Sequence, residues 1–427
     1  MKFCIYTLGC KVNTYESNVM KDILINNGFI EATDDEIADI YVVNTCTVTN
    51  TADNKSLKVI RQVRRKNECA IVVAVGCMIQ YRSNDINLFN DVDILIGNIN
   101  KTKIADYIKE YLNTKKQIIA VTKMDNASFE NMQLNNFNKT RAFVKIQDGC
   151  NNFCSYCIIP YTRGDVRSKE KDVVLKEIET LVLSGHKEVV LTGIHTGNYG
   201  AEFNNYDFAD LLNDLVKIKG LKRIRISSIE ITELNNRVLE IIKNNHILVD
   251  HMHIPLQSGC DKILKLMNRK YDVKYFIDKI NTIRSIRPNI SITTDVIVGF
   301  PNETDEDFKE TIETIKKIKF SKLHVFPYSK RNGTKASTMD NQVDESIKKE
   351  RVHVLLEISK ELELEYMKKF IGKEVTFIPE VIKDDYIIGH TGNYLLVKCM
   401  SNDLNKDEVN CIIEDIDYPY CLGRKIR

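Results

Sequence analysis

Three cysteines stand together in DGCNNFCSYCIIPYTRG: Cys150, Cys154 and Cys157, spaced Cys-x3-Cys-x2-Cys directly after a strand-like run. Iron-sulfur clusters ordinarily take four cysteines, so three thiolates on one loop leave one iron open to a ligand bearing amino and carboxylate groups. Structural zinc is the alternative chemistry, but it wants a fourth Cys or His at close spacing. Neither follows Cys157 for many residues.

A second triplet is dispersed: Cys10 in LGCKVN, Cys46 in NTCTVT and Cys77 in GCM, each ending an apolar strand-like run. The ends of parallel strands lie along one edge of a sheet, so cysteines some thirty residues apart in sequence can converge there. Purely structural thiols would sit inside the strands. Downstream of the cysteine loop, further strand ends carry small or polar residues. Thr192-Gly193 follow KEVVL, Ser227, Ser228 and Glu230 follow KRIRI, and Gly299-Phe300-Pro301 follow SITTDVIV. Singly, each reads as a turn, since Gly and Ser end strands routinely. As an ordered set at C-terminal strand ends, they lie where barrel enzymes build active sites.

The elements that must position these residues read as three units. Strand-like KFCIYTL, IYVVNTC, AIVVAVGC and VDILIG alternate with helical patterns, which gives an N-terminal parallel α/β domain over 1–114. The pattern dissolves at 115–140, whose Asn- and Lys-rich NASFENMQLNNFNKT reads as a linker. Six strand-helix units, beginning at RAFVKIQ and ending at KLHVFPYS, make 141–366 a complete or partial (β/α) barrel. A long helical pattern over 343–369 leads into alternating short strands, so 367–427 is a small β-barrel.

The cysteine loop, with Tyr156 before its third cysteine, resembles the radical S-adenosylmethionine (SAM) superfamily. That resemblance implies a 4Fe-4S cluster on Cys150, Cys154 and Cys157, with Tyr156 near the adenine of SAM. It also implies that Thr192-Gly193 take the methionyl amino group, that Ser227, Ser228 and Glu230 lie near the ribose, and that Gly299 lets the backbone approach the adenine. With the second triplet and the terminal β module, the whole chain is similar to the methylthiotransferase family, whose parts are an N-terminal cluster domain, a radical SAM barrel and a TRAM domain. The implied cofactors are two 4Fe-4S clusters, the second on Cys10, Cys46 and Cys77, and SAM. A sulfur donor and an electron donor such as flavodoxin or ferredoxin are also implied.

Within that family LGCKVNTYES, NTCTVT, VKIQDGCNNFCSYCIIPY and FPYSKRNGTKA look most like the branch that modifies N6-threonylcarbamoyladenosine at position 37, in the anticodon stem-loop of tRNA. The isopentenyladenosine branch tends to carry GCQMN, and the branch acting on a ribosomal-protein aspartate GCxKN. Both remain alternatives, as does a non-catalytic zinc and RNA-binding protein.

Bulk properties neither make nor break the RNA reading, because the formal net charge is only +2. Lys55, Lys58, Arg61, Arg64, Arg65 and Lys66 follow Cys46 on one helix and read either as an RNA contact or as a solvated face. Lys368, Lys369, Lys373, Arg424, Lys425 and Arg427 gather at the two ends of the β module. His195, two residues beyond Gly193, reads as near SAM or as a packing residue. The remaining six of the twelve cysteines read as inert thiols. The chain has no apolar run of membrane-spanning length and no secretory signal pattern, which places it in the cytoplasm with reduced thiols.

Overall fold

A computed structural model describes residues 1–33, 36–125, 127–137, 139–401 and 407–426. In the N-terminal unit six parallel strands stand in the order Ile30–Glu31, Lys2–Thr7, Ile40–Thr45, Ile71–Gly76, Ile94–Ile96, Ile118–Ala120. The two central strands are buried at every residue, because helices cover both faces of the sheet. Their apolar residues accordingly divide by parity: Val42 and Val73 pack on one face, Val43 and Val72 on the other.

The segment 115–140 differs from a periodless linker. It opens with Ile118–Ala120, the sheet's edge strand, and Met132, Leu134 and Phe137 are buried in the barrel core. Three strand residues are too few to show a period, and isolated apolar residues in an Asn-rich run gain their burial only from the domain they land on.

The central unit is an arc of six parallel strands in chain order: Arg141–Lys145, Glu188–Thr192, Arg223–Ile226, His251–His253, Ser291–Val298 and Lys322–Pro327. The first three and last three each form a sheet, and an isolated parallel bridge, Ile224 with Leu248, joins them. The helix Glu345–Lys368 packs along the sixth strand and leads to the terminal unit.

There, Glu374–Lys383, Tyr386–Thr391, Leu396–Met400, Tyr420–Lys425 and Val409–Asp417 close a barrel. Its last strand, which the alternating pattern did not announce, pairs parallel with Leu396–Met400 and completes the closure. Cys399, Cys411 and Cys421 are fully buried in its core, as inert thiols should be. Among the described residues no helix is long and apolar enough to cross a membrane.

The N-terminal unit covers the C-terminal ends of the barrel strands through two buried polar junctions. In the first, Glu16 pairs with Lys101, with Lys145 at 2.8 Å and with Arg163 at 3.1 Å, while Asp148 pairs with Lys145 and Arg163. In the second, Arg331 donates to Thr47 and to Asp53 at 2.6 and 2.9 Å. The terminal barrel docks on the opposite end. Arg223 donates to the carbonyls of Thr376 and His390, and Arg225 to that of Gly392.

Candidate functional site

The dispersed triplet converges as the sheet topology requires. Cys10, Cys46 and Cys77 follow the strands Lys2–Thr7, Ile40–Thr45 and Ile71–Gly76, which are neighbours in the sheet. Gly9 turns at φ +97°, and a side chain there would meet Cys46 Cβ at 2.7 Å, so glycine lets the Cys10 loop lie against Cys46. Burial raises the Cys10 and Cys46 thiols, Cys46 to about 11, and each is raised further by Cys77. Arg163, from the barrel, opposes both shifts. Cys10 Sγ lies 3.8 Å from Asn13 Oδ1, which also accepts from Arg163 Nη2 at 3.0 Å. Cys77 Sγ lies 3.6 Å from Asn98 Oδ1, and Asn98 Nδ2 donates to the Thr162 carbonyl.

The contiguous triplet is held by its own loop. Cys157 N–H donates to the Cys154 carbonyl and Cys150 N–H to that of Gly164. Gly149 has φ +73°, and a Cβ there would run into the Asp165 carbonyl, so a glycine must precede Cys150. Arg269 Nη1 donates to Cys154 Sγ at 3.1 Å, and its Nη2 pairs with Glu230. Burial raises the Cys154 thiol and the Arg269 guanidinium counters it; Cys157, deeper, is pushed up to about 12. A bound metal reverses that preference by taking the thiolate.

Of the strand-end residues, several meet. Tyr156 lies edge-on to Phe300, ring centres 6.5 Å apart, and Phe300 edge-on to Tyr328. Ser227 Oγ is 3.5 Å from Thr196 Oγ1, and Glu230 is drawn to Cys154 through Arg269. Ser228 is half-buried beside them, and Pro301 is buried. Gly193 packs on Gln147, whose Oε1 accepts the His195 N–H. His195 Nδ1 lies 3.8 Å from Cys150 Sγ, while its Nε2 faces Glu233. Gly299 has a further reason to be glycine: φ is +68°, and a Cβ would collide with the Lys348 side chain.

These donor sets fit the groups the sequence suggested. Thr192 Oγ1 is buried with no hydrogen-bond partner among the described residues, a group that a bound ligand would satisfy. Each thiol triplet has an arginine beside it to balance thiolate charge. Among the described residues no three His, Cys, Asp or Glu side chains, the two thiol triplets included, stand at the spacing a single metal ion requires.

Within the arc of barrel strands lies a cavity of about 390 Å³. Phe143, His253 and Thr293 line it from the strands, Lys11 from the N-terminal unit and Tyr394 from the terminal barrel. Tyr394 stacks on His251 at 4.7 Å and lies under the Arg141 and Arg225 guanidinium groups.

The basic helix Asn50–Lys66 presents Lys55, Lys58, Arg61, Arg65 and Lys66 to solvent, while Arg64 is tied to Asp93 at 2.6 Å. Of the cations at the two ends of the β module, Lys368, Lys369 and Lys373 precede the strand Glu374–Lys383 while Arg424 and Lys425 end Tyr420–Lys425, and these two strands flank Val409–Asp417. Arg427 lies outside the described residues. Sequence reasoning missed Arg163, Arg269, Glu16 and Asp148. None lies in a recognisable pattern of its own, although Asp148 and Arg163 bracket the cysteine loop.

Residues 144–315 match the model of the radical SAM superfamily, and residues 2–97 that of an uncharacterized protein family, UPF0004. The chain is 42% identical to the threonylcarbamoyladenosine tRNA methylthiotransferase MtaB of Bacillus subtilis, covering 99% of this chain and 96% of the relative. It is 35% identical to a tRNA-2-methylthio-N(6)-dimethylallyladenosine synthase of Clostridium perfringens, over 92% and 91% of the two chains. Among solved structures, the radical SAM methyltransferase TsrM of Kitasatospora setae superposes with a TM-score of 0.59 at 12% identity, over 79% of this chain and 76% of that one, a likeness of fold. With full-length identity above a third to methylthiotransferases and the radical SAM match across the cysteine loop, the chain belongs to the radical SAM methylthiotransferase family.

Proposed function

We propose that this enzyme converts N6-threonylcarbamoyladenosine at position 37 of tRNA to its 2-methylthio form. In that reading Cys150, Cys154 and Cys157 hold the 4Fe-4S cluster at which SAM is cleaved, and Cys10, Cys46 and Cys77 hold a second that handles sulfur. The observation that carries it is the placement of Arg163, from the segment that closes the barrel's cysteine loop, in the field of the dispersed triplet. Its side chain sits among Glu16, Asp148 and Asn13, with Cys10 and Cys77 in its field, and it ends the loop that begins at Cys150. A reaction that both breaks an unactivated C–H bond and installs sulfur on that carbon needs two such centres on one substrate. When bound, the barrel cluster and SAM supply the 5′-deoxyadenosyl radical that abstracts the hydrogen from C2 of adenine.

The chain's own residues orient and enclose. Tyr156, half-buried and backed by the fully buried Phe300, offers an aromatic surface for an adenine, and the unsatisfied Thr192 hydroxyl offers a hydrogen bond. Arg269 holds Cys154 and Glu230 in fixed relation. The N-terminal unit lies over the barrel mouth, held there by the Glu16 and Arg331 junctions. The full-length relatives named for threonylcarbamoyladenosine, at 42% and 39% identity, support this substrate over the dimethylallyl form at 35%. The tRNA substrate places the enzyme in the cytoplasm, with a flavodoxin or ferredoxin as electron source and a separate sulfur donor. The test is anaerobic reconstitution, incubation with tRNAs carrying each N6 modification, and mass spectrometry of the nucleosides. Preferential thiomethylation of the isopentenyl form would overturn the substrate assignment.

A further inference from the structure

The lumen cavity separates its cations into those already paired and one that is not. Arg141 pairs with Glu380, Arg225 with Glu188, and Lys322 with Glu363. Lys11 lines the same cavity with its side chain exposed to it, and has no hydrogen bond or ion pair with any described residue. It is also the residue immediately after Cys10, at the start of the helix Lys11–Asn26, so the cavity runs from the residue that follows a thiol of the N-terminal triplet to Tyr394. Its lining joins an aromatic face in Tyr394 and apolar wall from Phe143, Val190 and Leu395 to polar groups that already have partners, His253 with Thr293 at 2.9 Å and Asn393 with the Tyr366 hydroxyl. A volume of about 390 Å³ suits a polar substituent of several heavy atoms, not a whole nucleotide.

We propose that this lumen is the binding site for the N6 substituent of the substrate base, and that Lys11 is the specificity-determining residue that reads the substituent's carboxylate. This deepens the proposed function and rests on its substrate. A base whose C2 edge faces the cysteine loops at the barrel mouth can direct its N6 arm down the lumen, where Lys11 meets a carboxylate and the paired arginines stay occupied by their own partners. An ammonium that is in no ion pair with a described residue, though in the field of Asp295, which itself pairs with His253 at 3.2 Å, rewards an anion over an uncharged arm. An apolar arm would instead set hydrocarbon against the Lys11 ammonium.

The experiment measures binding to the reconstituted holoenzyme of two free nucleosides, N6-threonylcarbamoyladenosine and its carboxyl methyl ester, which differ only in that charge. Wild type should bind the acid at least about 10-fold tighter than the ester, K11Q should bind both alike, and K11R should keep the preference. Iron content and circular dichroism of both variants establish that they are folded. The absence of an acid preference in wild type overturns the proposal, and so does a preference that K11Q leaves unchanged. The failure of the substrate reading looks different: wild type would not thiomethylate threonylcarbamoyladenosine-bearing tRNA at all, whatever the nucleosides show.

Discussion

The two thiol triplets are built in opposite ways. Cys150, Cys154 and Cys157 lie within eight residues and are positioned by their own loop, through the Gly149 turn and the Cys157-to-Cys154 hydrogen bond. Cys10, Cys46 and Cys77 have no local order in common. Three sheet strands bring them to one edge, and Arg163 of another domain completes their surroundings. A local motif survives as long as its loop does, whereas a dispersed one survives only while two domains stay docked. The dispersed site should therefore be the more easily broken by changes distant from its cysteines.

The largest effect expected on that contrast comes from the loop itself. Cys154→Ala should remove 5′-deoxyadenosine formation with dithionite, a fall of at least about 100-fold, since loss of one of three thiolates leaves no stable open-site cluster. Wild-type levels of the nucleoside would show that the loop is not where SAM is cleaved. Changing Cys10, Cys46 and Cys77 together to Ala should leave reductive SAM cleavage detectable while the methylthio product disappears. Product at normal yield would make the N-terminal triplet structural and erase the distinction.

Arg163→Met probes the junction between the sites. It leaves Glu16 and Asp148 buried with part of their counter-charge gone, at a cost of about 3–5 kcal/mol to domain docking. Thermal unfolding should show the loss, and iron per chain should fall toward half as the dispersed site empties and the loop site stays filled. Equal loss from both sites would contradict the contrast. Arg331→Ala should act more weakly, by about 1–3 kcal/mol, because the buried Asp53 retains the partly exposed Arg82 at 3.5 Å. Its midpoint of unfolding, compared with that of Arg163→Met, ranks the two junctions.

Much of this was legible in the chain. The parallel strands read directly because burial on both faces makes them continuous apolar runs, and the strand-end cysteines followed from topology. The strand Tyr420–Lys425 did not read, since its neighbours in space, Val409–Asp417 and Leu396–Met400, determine which of its residues face the core. Arg163, Arg269 and Arg331 are among the most deeply buried cations, yet nothing near them in sequence distinguishes them from surface arginines. Their partners Glu16, Cys154 and Asp53 lie more than a hundred residues away. Arg331 in particular belongs to the FPYSKRNGTKA run that suggested a substrate branch, and its side chain serves domain docking.

Tyr394 gives the lumen a floor. It lies against Arg141 and His251, which begin their strands, so it stands at the end remote from the cysteine loop. On the proposed reading such a chamber works as a depth gauge: a side arm of the right length seats its base at the threshold, and a longer one holds the base outside. The terminal barrel, by lending His390, Asn393 and Tyr394 to the cavity wall, thereby helps set which arms fit.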